Sequence, residues 1–259
     1  MNKPSTTNQG KERQRIFSQW SNPNIVEANL LIIRPQNGGV GCSELVRELA
    51  LARHKKGDGT RDFKRSYLAL KYPPNTANEQ DFRRFFDSPR VIAECYNFFS
   101  GLFCIDISEH LQHINSQAFH MLMNYVAANK SRIRFVFIAS TNDHMLSDTA
   151  FNMLKKYMRI DQLTLQYEKP SAYAAFAKEL LGKSNIEVAK SVESALVARI
   201  DMLTANADFA GHKTIFRLVE DIIAEMRYTR TSILTAKTLE KIADLHLVDD
   251  ISAHRKVGF

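Results

Sequence analysis

The chain has 259 residues, of which 44% are hydrophobic, and it carries a formal net charge of +7 at pH 7. A chain of this length can bury a hydrophobic core without the help of disulfides or structural metals. Its three cysteines lie at spacings that form neither a disulfide framework nor a zinc site, and no apolar run reaches the roughly 18 residues of a membrane span.

The N-terminal stretch, residues 1–24, is polar and basic, and it contains no apolar segment of the kind that a secretory signal needs. We therefore expect it to be a flexible lead with one short helix over 11–20. Because the sequence shows neither a signal nor a membrane span, we predict a cytoplasmic protein with no membrane partner.

From residue 25 onward, short apolar runs alternate with segments of helical periodicity. The apolar runs predict five strands, over 29–34, 66–72, 101–107, 134–140 and 161–166. The segments between them predict helices, over 43–55, 88–99, 115–129 and 148–157. Strands that alternate with helices indicate a parallel sheet covered on both faces, and hence an α/β domain over 25–168.

After Pro170 the pattern changes. Four amphipathic helices follow one another, over 171–181, 191–202, 213–228 and 235–245, with no strand signal between them. We therefore place a domain boundary near 168–170 and predict a small all-helical domain over 169–259.

The first strand leads directly into a glycine-containing loop, QNGGVGCS at 36–43, and then into a helix. This order is typical of a phosphate-binding loop, whose small residues let backbone N–H groups and the helix N-terminus face a phosphate. Gln36 replaces the leading glycine of the pattern, and a plain loop is the alternative. The predicted contacts to nucleotide come from Gly38, Gly39, Val40, Gly41, Cys42 and Ser43.

Two polar residues end later strands of the predicted sheet. Asp106 ends an apolar strand as a Walker B aspartate does, and the alternative is that it caps the following helix. Asn142 follows the strand over 134–140, where a sensor side chain would face the nucleotide; the alternative is an Asx turn with Asp143. Ligands of open α/β sheets bind at this carboxyl edge.

The order of loop, Asp106, Asn142 and helical domain resembles the AAA+ superfamily, and within it the branch of the red-type Rubisco activase and stage V sporulation protein K. The resemblance spans about residues 25–259. Four segments carry it: 100–109 (SGLFCIDISE), 151–165, 208–220 (DFAGHKTIFRLVE) and 255–259 (RKVGF).

The resemblance implies a AAA+ P-loop core with a five-stranded parallel sheet and a small all-helical lid. It implies ATP or ADP with Mg²⁺ as cofactor, a Walker B role for Asp106, a sensor role for Asn142 and a lid arginine at Arg217. The chain departs from the family at the positions that support hydrolysis and the pore. Cys42 stands at the P-loop lysine, Ile107 at the catalytic glutamate, Lys156 at the arginine finger, Thr214 at the sensor arginine, and 72–74 (YPP) at the pore loop.

Because lysine and glutamate are both absent, we assign no catalytic residue and expect nucleotide binding to be weak or absent. The leading hypothesis is a degenerate AAA+ module, a pseudo-ATPase that acts as an assembly or scaffolding subunit with other AAA+ subunits, in a homo- or hetero-oligomer. One alternative is a weak ATPase that remodels a protein partner, with Glu109 or a neighbouring subunit as base. Another is a nucleic-acid-associated AAA+ protein of the helicase-loader or transposition-regulator type. Its basic residues, in 53–65 and at Arg83, Arg84 and Arg90, would bind nucleic acid non-specifically.

Two other features allow a functional interpretation. His110, His113 and His120 are interpreted as a solvated helix face, so we predict no metal site. Cys42 begins a predicted helix, and a thiol at a helix N-terminus often has a lowered pKa; a redox role is the less favoured interpretation.

Overall fold

The structure is a computed structural model that describes residues 8–22, 25, 27–57, 67–71, 80, 102–131 and 133–242. The chain divides into two units, Met1–Gln166 and Tyr167–Phe259, and each has its own hydrophobic core. Several predicted features lie outside the described residues: the helix over 88–99, the pore-loop segment at 72–74, the arginines at 83, 84 and 90, and the ending at 255–259.

The first unit is built on a parallel sheet, as predicted. Its strands pair in the order β2-β3-β4-β1-β5. They are β1 (Asn29–Arg34), β2 (Tyr67–Lys71), β3 (Leu102–Asp106), β4 (Arg134–Ser140) and β5 (Ile160–Thr164). Because β4 lies between β1 and β3, the ends of these three strands meet at one edge of the sheet, with Arg34 beside Ser140 and Asp106 beside Ile138.

Helices connect these strands. They are α1 (Asn8–Trp20), α2 (Cys42–Gly57), a 3₁₀ helix (Ser108–His113), α3 (Gln117–Asn129) and α4 (His144–Lys155). The prediction that α4 begins at 148 is wrong, because Asp143 caps an earlier start by accepting hydrogen bonds from the N–H groups of Met145 and Leu146.

Both faces of the sheet are buried. Alternate residues of β1 contribute to two separate clusters, with Leu31 and Ile33 in one and Leu30 and Ile32 in the other. This explains why the strands read as continuous apolar runs rather than as alternating ones. Trp20 of α1 is fully buried and joins the second cluster.

The second unit contains α5 (Pro170–Lys183), a 3₁₀ helix (Lys190–Val192), α6 (Glu193–Thr204), α7 (His212–Thr229) and a helical stretch over 236–242. The prediction that this unit is all-helical is wrong. Strands β6 (Glu187–Val188) and β7 (Ile233–Leu234) pair in parallel. Each has only two residues, which is too short for any alternation of apolar and polar residues to appear.

Within the described residues, no helix is both long and apolar enough to cross a membrane.

Asn29, at the start of β1, forms hydrogen bonds with the backbone beside both neighbouring strands. It is buried, its Nδ2 donates to the Arg159 carbonyl at 2.9 Å, and its Oδ1 accepts from the Phe135 N–H at 3.0 Å. A buried polar backbone group that loses its partner costs free energy because it has also lost its water. One side chain therefore satisfies two backbone groups, just before β5 and in β4.

We expect Asn29→Ala to lower the free energy of unfolding by about 2–3 kcal/mol, because it leaves both backbone groups without a partner. Urea unfolding followed by circular dichroism measures this. Asn124→Ala, at an exposed position of α3, is the control and should change stability by less than about 0.5 kcal/mol. Equal effects of the two substitutions would contradict the assigned role of Asn29.

Candidate functional site

The loop between β1 and α2 depends on its glycines. Gly38, Gly39 and Gly41 have φ angles of 68°, 72° and 76°, a backbone conformation that side chains disfavour. The Gly38 N–H donates to the Pro35 carbonyl at 2.9 Å, and the Gly41 carbonyl accepts from the Leu45 N–H at 3.0 Å, which joins the loop to the first turn of α2. The loop thus has a defined path from the sheet edge into the helix N-terminus.

The other predicted contact residues of this loop differ in exposure. Val40 is half-buried, Ser43 is exposed, and Cys42 is only 4% exposed. Cys42 packs in the cluster that also contains Ile32 and Cys104. Burial raises the pKa of its thiol to about 11, although the nearby Arg34 guanidinium opposes this shift. The expectation of a lowered pKa is therefore wrong, because loss of hydration outweighs the helix N-terminus and the neighbouring cation.

A cation that the sequence analysis missed lies next to this thiol. Arg34, the last residue of β1, donates from Nε to Ser140 Oγ at 2.7 Å and from Nη2 to Asp106 Oδ2 at 3.1 Å. It is also near enough to the Cys42 thiol to lower the pKa of that group against the effect of burial. Its guanidinium therefore reaches past β4 to the end of β3, and it is held by two side chains.

Asp106 uses both of its carboxylate oxygens. Oδ2 pairs with Arg34, while Oδ1 accepts from the Ser108 N–H at 3.0 Å and from the Ser108 hydroxyl. Ser108 Oγ in turn accepts from the Ser140 N–H at 2.8 Å. One oxygen thus binds Ser108, the first residue of the 3₁₀ helix, and the other faces a cation within the same chain; the N-cap position of that helix is Ile107 and not Asp106.

Ile107, at the position predicted for the catalytic glutamate, is fully buried in the cluster that also contains Phe137. Its N–H donates to the Ile138 carbonyl at 2.9 Å, so its backbone extends the contact between β3 and β4. The nearest carboxylate further along the chain, Glu109, is exposed on the 3₁₀ helix. The glutamate position is therefore part of the hydrophobic core.

Asn142 lies beside the start of the loop, where its Oδ1 accepts from the Gln36 N–H at 3.4 Å. The preceding residue, Thr141, donates its N–H to the Arg34 carbonyl at 3.0 Å. The structure thus brings the loop, Arg34, Asp106 and Asn142 to one edge of the sheet.

The remaining predicted site residues are exposed at other places. Lys156 follows α4, and its backbone N–H donates to carbonyls of that helix while its side chain is exposed. Arg217 is exposed on α7 of the second unit. In the same unit, Thr214 Oγ1 accepts from the Ala210 N–H at 2.9 Å, so a hydroxyl at the sensor-arginine position holds the segment before α7.

The interpretation of the three histidines as a solvated helix face is wrong. His110 is buried in the 3₁₀ helix, whereas His120 lies on α3 with its Nδ1 2.8 Å from the Tyr157 hydroxyl. Among the residues that the structure describes, no group of three or more His, Cys, Asp or Glu side chains is arranged to hold a metal ion.

Solved structures of other proteins resemble the fold of this chain. RuvB, the Holliday junction branch migration motor of Thermotoga maritima, matches with a TM-score of 0.63 and 12% identity over 93% of this chain and 69% of RuvB. Domain III of the T. maritima replication initiation protein DnaA matches with a TM-score of 0.59 and 11% identity over 93% of this chain and 92% of that domain. C. elegans PCH-2 matches with a TM-score of 0.56 and 11% identity over 96% of this chain and 70% of PCH-2.

The chain has the AAA+ fold. No protein-family model matches it, and no curated protein matches its sequence. The loop over 36–43 and the end of β3 are the places where the sequence predicted the phosphate-binding loop and the Walker B aspartate. The signal that would have revealed Arg34 is a charged residue that ends an otherwise apolar strand, NLLIIR, immediately before this loop.

We expect the raised pKa of Cys42 to make stability depend on pH. The pKa rises from 9.0 to about 11 on folding, so the native thiol keeps its proton where the unfolded thiol has lost it. The contribution of this thiol to the free energy of unfolding is fully present below pH about 9. It falls by up to ~1.4 kcal/mol per pH unit as the pH approaches about 11.

Urea unfolding of the wild type and of Cys42→Ala, at several pH values from about 8 to about 10.5, isolates this contribution. The difference in stability between the two proteins should shrink as the pH rises, since Cys104 and the lysines are common to both. Parallel curves would show that the Cys42 thiol titrates alike in the native and unfolded states.

Proposed function

We propose that this chain is a AAA+ module that does not hydrolyse ATP and acts as an assembly or scaffolding subunit. The observation that carries the proposal is the burial of Cys42 and Ile107 at the two positions where an active AAA+ site has lysine and glutamate. Both side chains belong to the hydrophobic clusters of the first unit.

The missing groups perform the central steps of phosphoryl transfer. The lysine neutralises charge that develops on the transferred phosphoryl group, and the glutamate orients the attacking water. A buried thiol that stays protonated at neutral pH carries no charge for the first task, and a buried isoleucine has no proton acceptor for the second. The loop over 36–43 keeps its backbone N–H groups, so ATP or ADP would bind weakly there, through the backbone and the exposed Ser43.

The second unit completes the proposed module. We assign it, from about residue 169 onward, as the AAA+ lid, with Arg217 as a lid arginine. Lys156 would be at best a weak finger toward a neighbouring subunit, because an ammonium lacks the forked geometry of a guanidinium. The finer assignment, to the branch of the red-type Rubisco activase and stage V sporulation protein K, rests on the sequence resemblance alone.

The proposed partners are other AAA+ subunits, in a homo- or hetero-oligomer. An active AAA+ site takes groups from two neighbours, so a subunit without its own hydrolytic groups can still provide a surface for an active one. The weak-ATPase alternative depends on Ser43, Asp106 and Asn142, which remain in place. The nucleic-acid alternative depends on basic side chains between 53 and 90, which lie outside the described side chains.

We expect the isolated protein to release phosphate from ATP no faster than Asp106→Asn, which serves as its matched control. The reason is that Cys42 and Ile107 supply neither the charge of the lysine nor the carboxylate of the glutamate. A steady-state phosphate-release assay with ATP and Mg²⁺ measures the rate. A turnover near ~1 s⁻¹, within the usual range of enzymes, that Asp106→Asn abolishes would refute the proposal.

We expect the protein to form oligomers, alone or with a AAA+ protein encoded beside it, and the ending at 255–259 to contribute. The segment combines a basic pair with apolar and aromatic side chains (RKVGF), which can pack on a neighbouring surface. Light scattering on the full chain and on a variant lacking 255–259 gives the masses, and a variant lacking residues 1–5 is the control. A strict monomer under all conditions, unaffected by either deletion, would leave the assembly role without support.

A further inference from the structure

The AAA+ fold implies a magnesium ion beside the nucleotide phosphates. Mg²⁺ requires a near-octahedral shell of oxygen ligands, several of which are usually waters. The residues that would hold this shell here are Ser43, through its hydroxyl, and Asp106, through its carboxylate. Whether they fit the ion depends on what the carboxylate already binds.

Both oxygens of the Asp106 carboxylate are engaged within the chain. Oδ2 accepts from Arg34 at 3.1 Å, and Oδ1 accepts from the Ser108 N–H at 3.0 Å and from the Ser108 hydroxyl. A carboxylate oxygen has two lone pairs, so a metal-bound water would have to share Oδ2 with the guanidinium, and its metal would bring a divalent charge next to that cation. The donor set therefore does not fit the ion.

Arg34 already supplies a positive charge at this place. Its side chain is 24% exposed, and that of Asp106 is 20% exposed, so the pair is largely withdrawn from water. The hydrogen bond from Nε to Ser140 Oγ fixes the guanidinium beside the carboxylate, and a guanidinium stays charged at every accessible pH.

We infer that Arg34 takes the place of the divalent cation, so that this site excludes Mg²⁺. The inference rests on the proposed function, because it assumes that the loop over 36–43 and Asp106 correspond to a AAA+ nucleotide site. It goes beyond that proposal because it concerns the cation rather than the missing lysine and glutamate.

Binding of Mn²⁺, an oxygen-liganded substitute for Mg²⁺, tests the inference without any reading of catalytic activity. Electron paramagnetic resonance follows the loss of the free Mn²⁺ signal as each protein is titrated. In each protein, the Mn²⁺ binding that is lost on Asp106→Asn is the part that depends on this carboxylate. Binding to other surface carboxylates is the same with and without this substitution, so it does not enter the difference.

In the wild type, we expect Asp106→Asn to leave Mn²⁺ binding unchanged. In Arg34→Gln, we expect an added Asp106-dependent site whose affinity exceeds that of the wild type by about tenfold or more. Arg34→Lys keeps the positive charge and should behave as the wild type does. Circular dichroism of each variant shows that it is folded.

Asp106-dependent Mn²⁺ binding by the wild type would overturn the inference, and so would its absence in a folded Arg34→Gln variant. If Arg34→Gln does not fold, the comparison of wild type with Asp106→Asn still tests the inference, because Asp106-dependent Mn²⁺ binding by the wild type would overturn it. Metal-independent ATP hydrolysis, measured in EDTA, would contradict the proposed function and leave this inference standing. Asp106-dependent Mn²⁺ binding without ATP hydrolysis would overturn this inference and leave the proposed function standing.

Discussion

The candidate site is organised by the ion pair between Arg34 and Asp106. Two unit charges at about 4 Å attract by about 4 kcal/mol at the effective dielectric of a protein surface, and a divalent ion brought equally near the guanidinium would be repelled about twice as strongly. The pair joins the end of β1 to the end of β3. Arg34 also donates to Ser140 at the end of β4, and the Ser140 N–H donates to Ser108, which in turn donates to Asp106. The same guanidinium lies beside the Cys42 thiol, whose burial keeps it neutral.

The two positions at which the resemblance predicts a lysine and a glutamate also contribute to the packing of the first unit. Cys42 and Ile107 lie in clusters on different faces of the sheet. A lysine or glutamate at either position would have to bring its charge out of an apolar environment, which is costly when the charge has no partner. Active sites commonly sacrifice stability for function, and here the chain places apolar contacts where function would require buried charge. A AAA+ fold without its hydrolytic groups is therefore physically self-consistent.

The sequence predicted the bounds of a helix or strand correctly where the residues of that element alone determine them. β1 and β4 have the predicted bounds because each is an uninterrupted apolar run flanked by polar residues. The start of α4 was missed because the capping Asp143 stands among other polar residues, and β6 and β7 because two residues show no periodicity. Arg34 was missed for another reason: its partner Asp106 is 72 residues away, and no local pattern reports which charges the fold brings together.

The position of Arg34 also separates the two leading interpretations of the chain. A neighbouring subunit can supply a base or an arginine finger, so the absence of a glutamate at Ile107 and of an arginine at Lys156 could be compensated in an assembly. The cation that engages Asp106 is a different case, because it comes from β1 of the same chain and is also bonded to Ser140. A weak ATPase would need Asp106 to exchange Arg34 for the water shell of a metal in every cycle. A subunit that contributes only its surface needs no such exchange, and this difference favours the assembly role.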